Sequence, residues 1–180
     1  MAAGSSGLIP KFMLPTPVNV AKAFVSDFPL LVSNAKVTLV EAFMGLGMGV
    51  AVGFMIAVLM DRFEKLYQAF YPLIVLTQTV PTVAIAPLLV LWFGYEMLPK
   101  VILIVITTFF PITVSLLDGF KSADKDMISL MRSMGASKMQ IFRLVKFPGA
   151  LGQFFASLRI SVSYAVVGAV ISEWLGGFNG

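Results

Sequence analysis

Long apolar runs alternate with short charged connections along this chain. Four runs reach the length of a membrane-crossing helix, which needs about 20 predominantly apolar residues. They lie at about 35–60, 66–93, 98–117 and 151–175. A β-barrel would show short strands of alternating polarity, which these runs do not resemble, so the pattern predicts helices. We therefore predict an all-α, polytopic transmembrane bundle with about four spans.

The amino-acid composition excludes several classes of function. Hydrophobic residues make up 58% of the chain and charged residues 12%, whereas about a quarter of an average soluble domain is charged. The chain has no Cys and no His, which excludes disulfides, imidazole bases and the common zinc sites. We expect no metal site and no enzyme activity. The excess of 13 Lys and Arg over 9 Asp and Glu is interrupted by membrane-length runs, which favours orientation in a membrane over nucleic-acid binding.

Basic residues are unevenly distributed between the runs. Arg62 and Lys65 follow the first run, and the turn at 94–100 holds only Lys100. Since Lys and Arg favour cytoplasmic connections, the two richer connections predict one cytoplasmic side. The connection after the third run is the richest, with Lys121, Lys125, Arg132, Lys138, Arg143 and Lys146.

This orientation suggests how the chain is organised. Residues 1–34 are predicted to be an extracytoplasmic lead-in with a short interfacial helix at 18–30, and residues 35–180 a transmembrane domain. Both ends of the chain would then face outward. Since no span precedes the first run to carry the N-terminus across, we expect one more span before it. The Gly-rich ending at 173–180 suggests another span after the last run.

Small residues line one face of the first predicted span. Gly45, Gly49 and Gly53 recur every four residues, so they share a helix face on which another helix can approach closely. We name these three residues the glycine seam. It predicts tight helix packing, and either static packing or a moving interface satisfies the pattern.

The second run is interrupted by Pro81 and Pro87, and each proline removes a backbone donor and is predicted to break the helix. Gln78, Thr79 and Thr82 cluster at this point. Their polar groups either line a solute pathway or satisfy the backbone groups that the break leaves free. Both interpretations remain open.

Charged residues inside the spans are costly unless they pair, reach the interface or face a cavity. Lys36 and Glu173 lie near predicted outer ends, where we expect snorkelling or an interfacial position. Glu41 and Arg159 are better candidates for inward-facing pairs, although the sequence names no partner. Arg159 is therefore a further candidate pathway residue.

The stretch 122–148 predicts two short amphipathic helices. Ser122 is the predicted N-cap of the first, and Gly135 is predicted to end it. Ser137 is expected to cap the second, which Pro148 should stop. Such a basic helix-turn-helix either lies on anionic lipid or docks into a groove of another protein.

This stretch resembles the cytoplasmic loop of permease subunits of bacterial ABC importers. Their motif reads E-A-A, three residues, G, nine residues, I, one residue, L-P. Gly135, Val145, Phe147 and Pro148 stand at the matching offsets, while Ser129 replaces the motif's Glu. The stretches "LPTP", "QTVPTVAIAPLLVLWFG" and "RISVSYAVVGAVISEWLGG" are similar to the branch that imports sulfonates, taurine, nitrate and thiamine-precursor pyrimidines.

The resemblance implies a MetI-like (type I) permease fold with one more span at each end. It implies that the loop couples the spans to cytoplasmic ATPase subunits. An extracytoplasmic solute-binding protein and a second permease copy would complete the transporter. The assembly would lie in the bacterial plasma membrane, surrounded by lipid. No G-x-x-x-x-G-K-[ST] motif occurs in the chain, so ATP is expected to bind the partner subunit, and this chain should need no cofactor of its own. An ion-gradient-driven secondary transporter is the alternative. The implied ATPase-coupling residues are Ser129, Arg132, Gly135, Ala136, Ser137, Val145 and Pro148.

Overall fold

The computed structural model describes residues 16–176, and within this range the chain is helical, without strands. It divides into two compact units between Val37 and Thr38. The helices are α1 (Pro17–Ser26), α2 (Phe28–Arg62), α3 (Glu64–Thr77), α4 (Thr82–Phe93), α5 (Met97–Lys121), α6 (Lys125–Ser133), α7 (Lys138–Ile141) and α8 (Phe147–Gly176), with a π-helical turn, Phe142–Lys146, between α7 and α8.

The first unit contains α1, the short helix predicted at 18–30. Thr16 is its N-cap and accepts a hydrogen bond from the backbone N–H of Asn19, while Pro17 occupies the first helical position, where a missing N–H costs nothing. The backbone N–H of Asp27 donates to the carbonyl of Ala23 and closes the helix. The predicted lead-in before Thr16 lies outside the described residues, as do the last residues, 177–180.

In the second unit α2 and α5 run parallel. The glycine seam faces α5 so closely that side chains there would overlap it: a Cβ at Gly45 would lie 2.5 Å from Cβ of Ile104, and one at Gly53 would lie 2.8 Å from the carbonyl oxygen of Phe109. Successive glycines of α2 therefore face successive residues of α5 in the same chain order, as expected for parallel helices. The facing pairs are Gly45 with Ile104, Gly49 with Thr108, and Gly53 with Ile112.

Helix α8 packs antiparallel to α5. Gly119, near the end of α5, meets Ala150 near the start of α8, where a Cβ on the glycine would lie 2.6 Å from the alanine Cβ. Further along α8, Ser161 Oγ donates to the carbonyl of Thr108 at 3.2 Å. Small side chains on both helices thus bring α5 into the centre of the bundle, between α2 and α8.

The parallel arrangement of α2 and α5 determines how α3 and α4 must run. These two helices are together apolar enough to cross a membrane and are bent by 96° at their break. Since α2 and α5 cross in the same direction, the chain between them has to return to the starting side. The α3–α4 pair is therefore one broken span, and with α2, α5 and α8 it makes the predicted four.

The break differs from its prediction in one respect. The helix is interrupted at 78–81, and Pro81 is the N-cap of α4, whereas Pro87 lies inside α4 and does not break it. The prediction of a second break was wrong. Packing of Ala86 and Leu89 against Leu103 holds α4 together across Pro87, which removes a single backbone donor.

Candidate functional site

The stretch 122–148, for which the resemblance implies a coupling role and which we name the coupling loop on that expectation, begins with a well-capped helix. Asp124 is the N-cap of α6, and its carboxylate accepts from the backbone N–H groups of Asp126 and Met127 at 2.8 and 3.2 Å. The prediction of Ser122 as N-cap was wrong, because α5 runs on to Lys121 and Ser122 closes that helix, its Oγ donating to the carbonyl of Gly119. A carboxylate at this position also favours the helix dipole.

The turn between α6 and α7 is built around Gly135. Its φ of +81° is left-handed, a conformation that costs a residue with a Cβ roughly 1–2 kcal/mol. The backbone N–H of Gly135 donates to the carbonyl of Arg132, and that of Ala136 to Met131, both at 2.9 Å. This is the Schellman pattern of a helix end, and it needs glycine or asparagine at this position.

A capping box starts the next helix. The Ser137 hydroxyl accepts from the backbone N–H of Gln140 at 3.3 Å, and the Gln140 side chain accepts from the backbone N–H of Ser137 at 2.7 Å. Both ends of the turn are therefore closed by hydrogen bonds between near neighbours. The angle between α6 and α7 is consequently fixed by the loop's own sequence.

The predicted stop at Pro148 was wrong. From Lys138 the chain stays helical through the π turn into α8, and the stretch Lys138–Trp174 forms one membrane-length candidate. The backbone N–H of Phe147 donates to the carbonyl of Phe142, five residues back. This wider turn just before Pro148 accommodates the proline, whose ring would clash in a regular α-helical turn. The coupling loop is thus continuous with the last span.

Several large apolar side chains of the coupling loop are exposed. Helix α6 has no buried residue, and Met134 is 78% exposed. Of the residues implied by the resemblance, Ser129, Arg132, Gly135, Ser137 and Pro148 are exposed, while Ala136 and Val145 are half-buried. The exposed large apolar side chains of the loop are Met127, Leu130, Met134, Met139 and Leu144.

Two contacts connect the π turn to other spans. Lys146 Nζ lies 2.6 Å from Oδ1 of Asp61 at the end of α2. The Phe142 ring stacks edge-on against Phe120 of α5, with ring centroids 5.2 Å apart. Sequence reasoning missed both, although the opposite charges of Asp61 and Lys146 on connections assigned to one side were an available indication.

The break in the second span borders a small cavity of about 230 Å³. Two predicted pathway residues, Gln78 and Thr82, line it, whereas Thr79 and Arg159 do not. The hydroxyl of Thr79 instead donates to the carbonyl of Leu76 at 2.8 Å. We name this space the bend cavity; its lining is Gln78, Thr82, Thr107, Tyr164, Val167, Gly168 and Ile171.

An ion pair lies near the starting ends of α2 and α5. Lys100 Nζ is 2.9 Å from Oε1 of Glu41, and both residues are buried, so Lys100 is the partner that the sequence did not identify. Glu173, predicted to snorkel, is half-buried and accepts a hydrogen bond from the Thr38 hydroxyl at 2.7 Å. Arg159 is exposed on α8. Within residues 16–176, no cluster of three or more potential metal ligands occurs.

Comparisons with known proteins agree with this architecture. Residues 49–180 match the family model described as the binding-protein-dependent transport system inner membrane component. The chain is 39% identical to the formylaminopyrimidine transport permease protein ThiX of Halalkalibacterium halodurans, covering 94% of this chain and 68% of that protein. It is 35% identical to a probable ABC transporter permease of Haemophilus influenzae, covering 97% and 71%.

A more distant relative is the putative aliphatic sulfonates transport permease SsuC of Bacillus subtilis, 28% identical over 98% of this chain and 65% of that protein. These matches confirm the branch that the sequence resembles. The family has the MetI-like fold, and its permeases work with ATPase and solute-binding partners as transport components, not enzymes. The chain therefore belongs to the binding-protein-dependent transport system inner membrane component family and is a multi-pass permease of the bacterial inner membrane.

Proposed function

We propose that this chain forms half of a pore that imports a small solute, driven by ATP that a separate cytoplasmic subunit hydrolyses while docked on the coupling loop. The observation that carries the proposal is the exposed apolar face of a loop whose internal geometry is fixed. Side chains such as Met134 project from a helix that is capped at both ends and buries none of its own residues. Apolar patches of this kind on a defined helix are typical of docking surfaces.

A protein groove suits this surface better than a lipid surface. Asp124 and Asp126 stand in the first turn of α6 beside Lys125, so this end of the loop carries both signs of charge and lacks the uniformly basic surface that anionic lipid attracts. Met127 and Leu130 lie on the same short helix, so an apolar side chain cannot approach the membrane without bringing a carboxylate close to it. A groove with its own charge pattern accommodates both.

The contacts of the loop suggest how movement of the ATPase reaches the spans. The loop continues into α8 without a break, contacts α5 through Phe142 and Phe120, and is held to α2 by Lys146 and Asp61. A displacement of the loop would therefore act on three spans together. Rigid-body motion of this kind is a common way to alternate access between the two sides of a membrane.

The broken span supports a pore made from two copies. The backbone at 78–81 is non-helical and exposed in the single chain, although lipid offers no partners for free backbone groups. A second copy of the chain, with a water-filled space between the copies, would satisfy these groups. The remaining apolar surface would face lipid.

The solute is proposed to come from the classes that the resemblance names: sulfonates, taurine, nitrate or thiamine-precursor pyrimidines. Two relatives carry formylaminopyrimidine and aliphatic sulfonates in their names, which fits this range. An extracytoplasmic binding protein would deliver the solute. The permease itself would need no cofactor, because the chain carries no phosphate-binding motif for ATP.

One observation favours the alternative of an ion-driven transporter. Glu41 is a carboxylate buried in a span, and its Oε2 has no hydrogen-bond partner among the described residues. Proton-coupled transporters use buried carboxylates, but they place them near the midplane. Glu41 is instead neutralised by Lys100 at the first turn of α5, which favours a structural pair.

Uptake into vesicles separates the two functions. The permease is reconstituted with its ATPase subunits and binding protein, and labelled solutes of the four classes are offered in the presence of ionophores that collapse all ion gradients. We expect at least one solute to accumulate when ATP is supplied on the ATPase side. A parallel sample receives an imposed ion gradient without ionophores or ATP, and accumulation in that sample together with none in the ATP sample would contradict the proposal.

A further inference from the structure

The bend cavity has a lining suited to one kind of solute. Its polar groups are the amide of Gln78, the hydroxyls of Thr82 and Thr107, and the phenol of Tyr164; the other lining residues are aliphatic or glycine. None of the lining residues within 16–176 carries a charge. We infer that this cavity contacts the transported solute and selects an uncharged, planar ring that carries hydrogen-bonding groups, an inference that rests on the proposed import function.

The polar groups of the cavity have capacity for a ligand. The Thr107 hydroxyl donates to the carbonyl of Ile104 at 2.9 Å, which leaves its oxygen free to accept from a solute. The hydroxyls of Thr77 and Thr79 make the same kind of bond, to the carbonyls of Ile74 and Leu76, but these two residues do not line the cavity.

An anion is a poor fit for this lining. Moving an unpaired charge into a site without a counter-ion is costly, and the buried ion pair of Glu41 and Lys100 involves no residue of the cavity. Arg159 is on the same helix as Tyr164 but does not line the cavity. Hydroxyl and amide groups instead match the donors and acceptors of a neutral heterocycle.

Shape also favours a flat ring. Tyr164 contributes an aromatic ring to the lining, and Gly168 leaves α8 without a side chain at the cavity wall; aromatic rings stack favourably on each other. The volume of about 230 Å³ lies below the range of roughly 300–1,000 Å³ that drug-sized ligands occupy. A single substituted ring fits this space better than a multi-ring cofactor.

Cysteine protection tests the inference directly, because the chain has no cysteine of its own. In the assembled transporter, Thr107→Cys is labelled with a small uncharged thiol reagent in the presence of either an aminopyrimidine or an alkanesulfonate. We expect the aminopyrimidine to slow the labelling and the sulfonate to leave it unchanged. The control is Val170→Cys, which is exposed on α8 outside the cavity lining and should label equally in all conditions.

A pair of Tyr164 variants tests the stacking role by uptake of the same aminopyrimidine. Tyr164→Leu should reduce uptake at low solute concentration by about 2- to 10-fold, while Tyr164→Phe, which keeps the ring, should retain most of it. Equal uptake by the Leu variant and the wild type would overturn the stacking role. Labelling of Thr107→Cys that the aminopyrimidine does not slow, or that the sulfonate slows as much, would overturn the selection of a neutral ring.

The outcomes separate this inference from the proposed function. ATP-driven accumulation of the sulfonate, without accumulation of the aminopyrimidine or protection by it, would refute the inference and leave ATP-driven import intact. Protection of Thr107→Cys in a transporter that ignores ATP would refute the energy source while supporting the solute site. The labelling experiment needs no ATP and therefore reports on the cavity alone.

Discussion

The two ends of the first span are connected to the rest of the bundle in different ways. Near its start, Glu41 pairs with Lys100 in a buried environment, with side-chain exposures of 3% and 7%. At its end, Asp61 pairs with Lys146 in a more open environment, with exposures of 14% and 24%. The first pair connects two spans, whereas the second connects a span to the coupling loop.

From this difference we infer a rigid part of the molecule around Glu41 and a part around Asp61 that would transmit movement under the proposed function. Around Glu41 the helices approach through small residues, and displacement would separate two buried charges from each other. Around Asp61 the partners are more exposed than the Glu41–Lys100 pair, so water can replace either of them at a lower cost. We therefore expect substitutions near Glu41 and the glycine seam to affect folding, and substitutions in the coupling loop to affect coupling.

Removal of Lys100 should have the largest effect on stability. Lys100→Met leaves Glu41 buried without its counter-ion, which typically costs about 3–5 kcal/mol, and detergent-solubilised protein should unfold at a lower temperature. The double variant Glu41→Leu with Lys100→Met should recover most of the loss, since it removes both charges. A single variant as stable as the wild type would show that the pair is not part of the rigid end.

Filling the glycine seam should be the next most damaging change. A Cβ at Gly49 would overlap the Thr108 side chain, whereas one at Gly47 would meet nothing within 4 Å. Gly49→Ala should therefore destabilise by about 1–3 kcal/mol, and Gly47→Ala, on the same helix, should not. Thermal unfolding of the two variants side by side checks this. Equal melting temperatures would indicate that α2 does not pack closely against α5.

Substitution of Gly135 should reveal the coupling role with little loss of stability. Gly135→Val forces a β-branched residue into a left-handed turn at a cost of at least about 1–2 kcal/mol, which the loop can relieve by rotating α6. ATP-driven uptake should be lost while the protein stays folded in the membrane. Gly135→Asn, which tolerates this conformation, should retain uptake, and normal uptake by the Val variant would refute the coupling role.

The smallest effect on stability is expected at Asp61. Asp61→Asn weakens a partly exposed ion pair and leaves a polar amide that can still accept from Lys146, so the melting temperature should fall less than in Lys100→Met. The number of ATP molecules hydrolysed per solute should rise, because the loop then holds α2 less firmly. Exchange of the charges, Asp61→Lys with Lys146→Asp, should restore the wild-type ratio, and a ratio unaffected by either change would exclude this connection from coupling.

Much of this architecture follows from local sequence patterns. Span positions are set by apolar runs of membrane length, and the turn at Gly135 is set by residues within a few positions of it, so both are readable from sequence. The positions of the prolines were a less reliable guide to where helices end. Pro81 caps a helix, whereas Pro87 and Pro148 are accommodated by packing and by a π turn, and those circumstances depend on neighbouring elements.

Contacts between distant residues were the hardest to foresee. The Glu41–Lys100 pair, the Asp61–Lys146 pair and the bend cavity bring together residues far apart in the chain, and their geometry depends on α2 and α5 running parallel. Polar residues within apolar runs, such as Thr107 and Tyr164, were the available indication for the cavity. The sequence did not reveal which helix faces they share.

Crosslinking at the coupling loop tests the central claim most directly. Met134→Cys, in a chain that otherwise has no cysteine, is combined with a single cysteine in the cleft of the ATPase subunit, and Val162→Cys on α8 serves as the exposed control. We expect a crosslink from Met134→Cys whose yield changes when ATP binds, and none from Val162→Cys. A Met134→Cys variant that never crosslinks to the ATPase, and that reacts instead with lipid-soluble reagents in the assembled transporter, would contradict it.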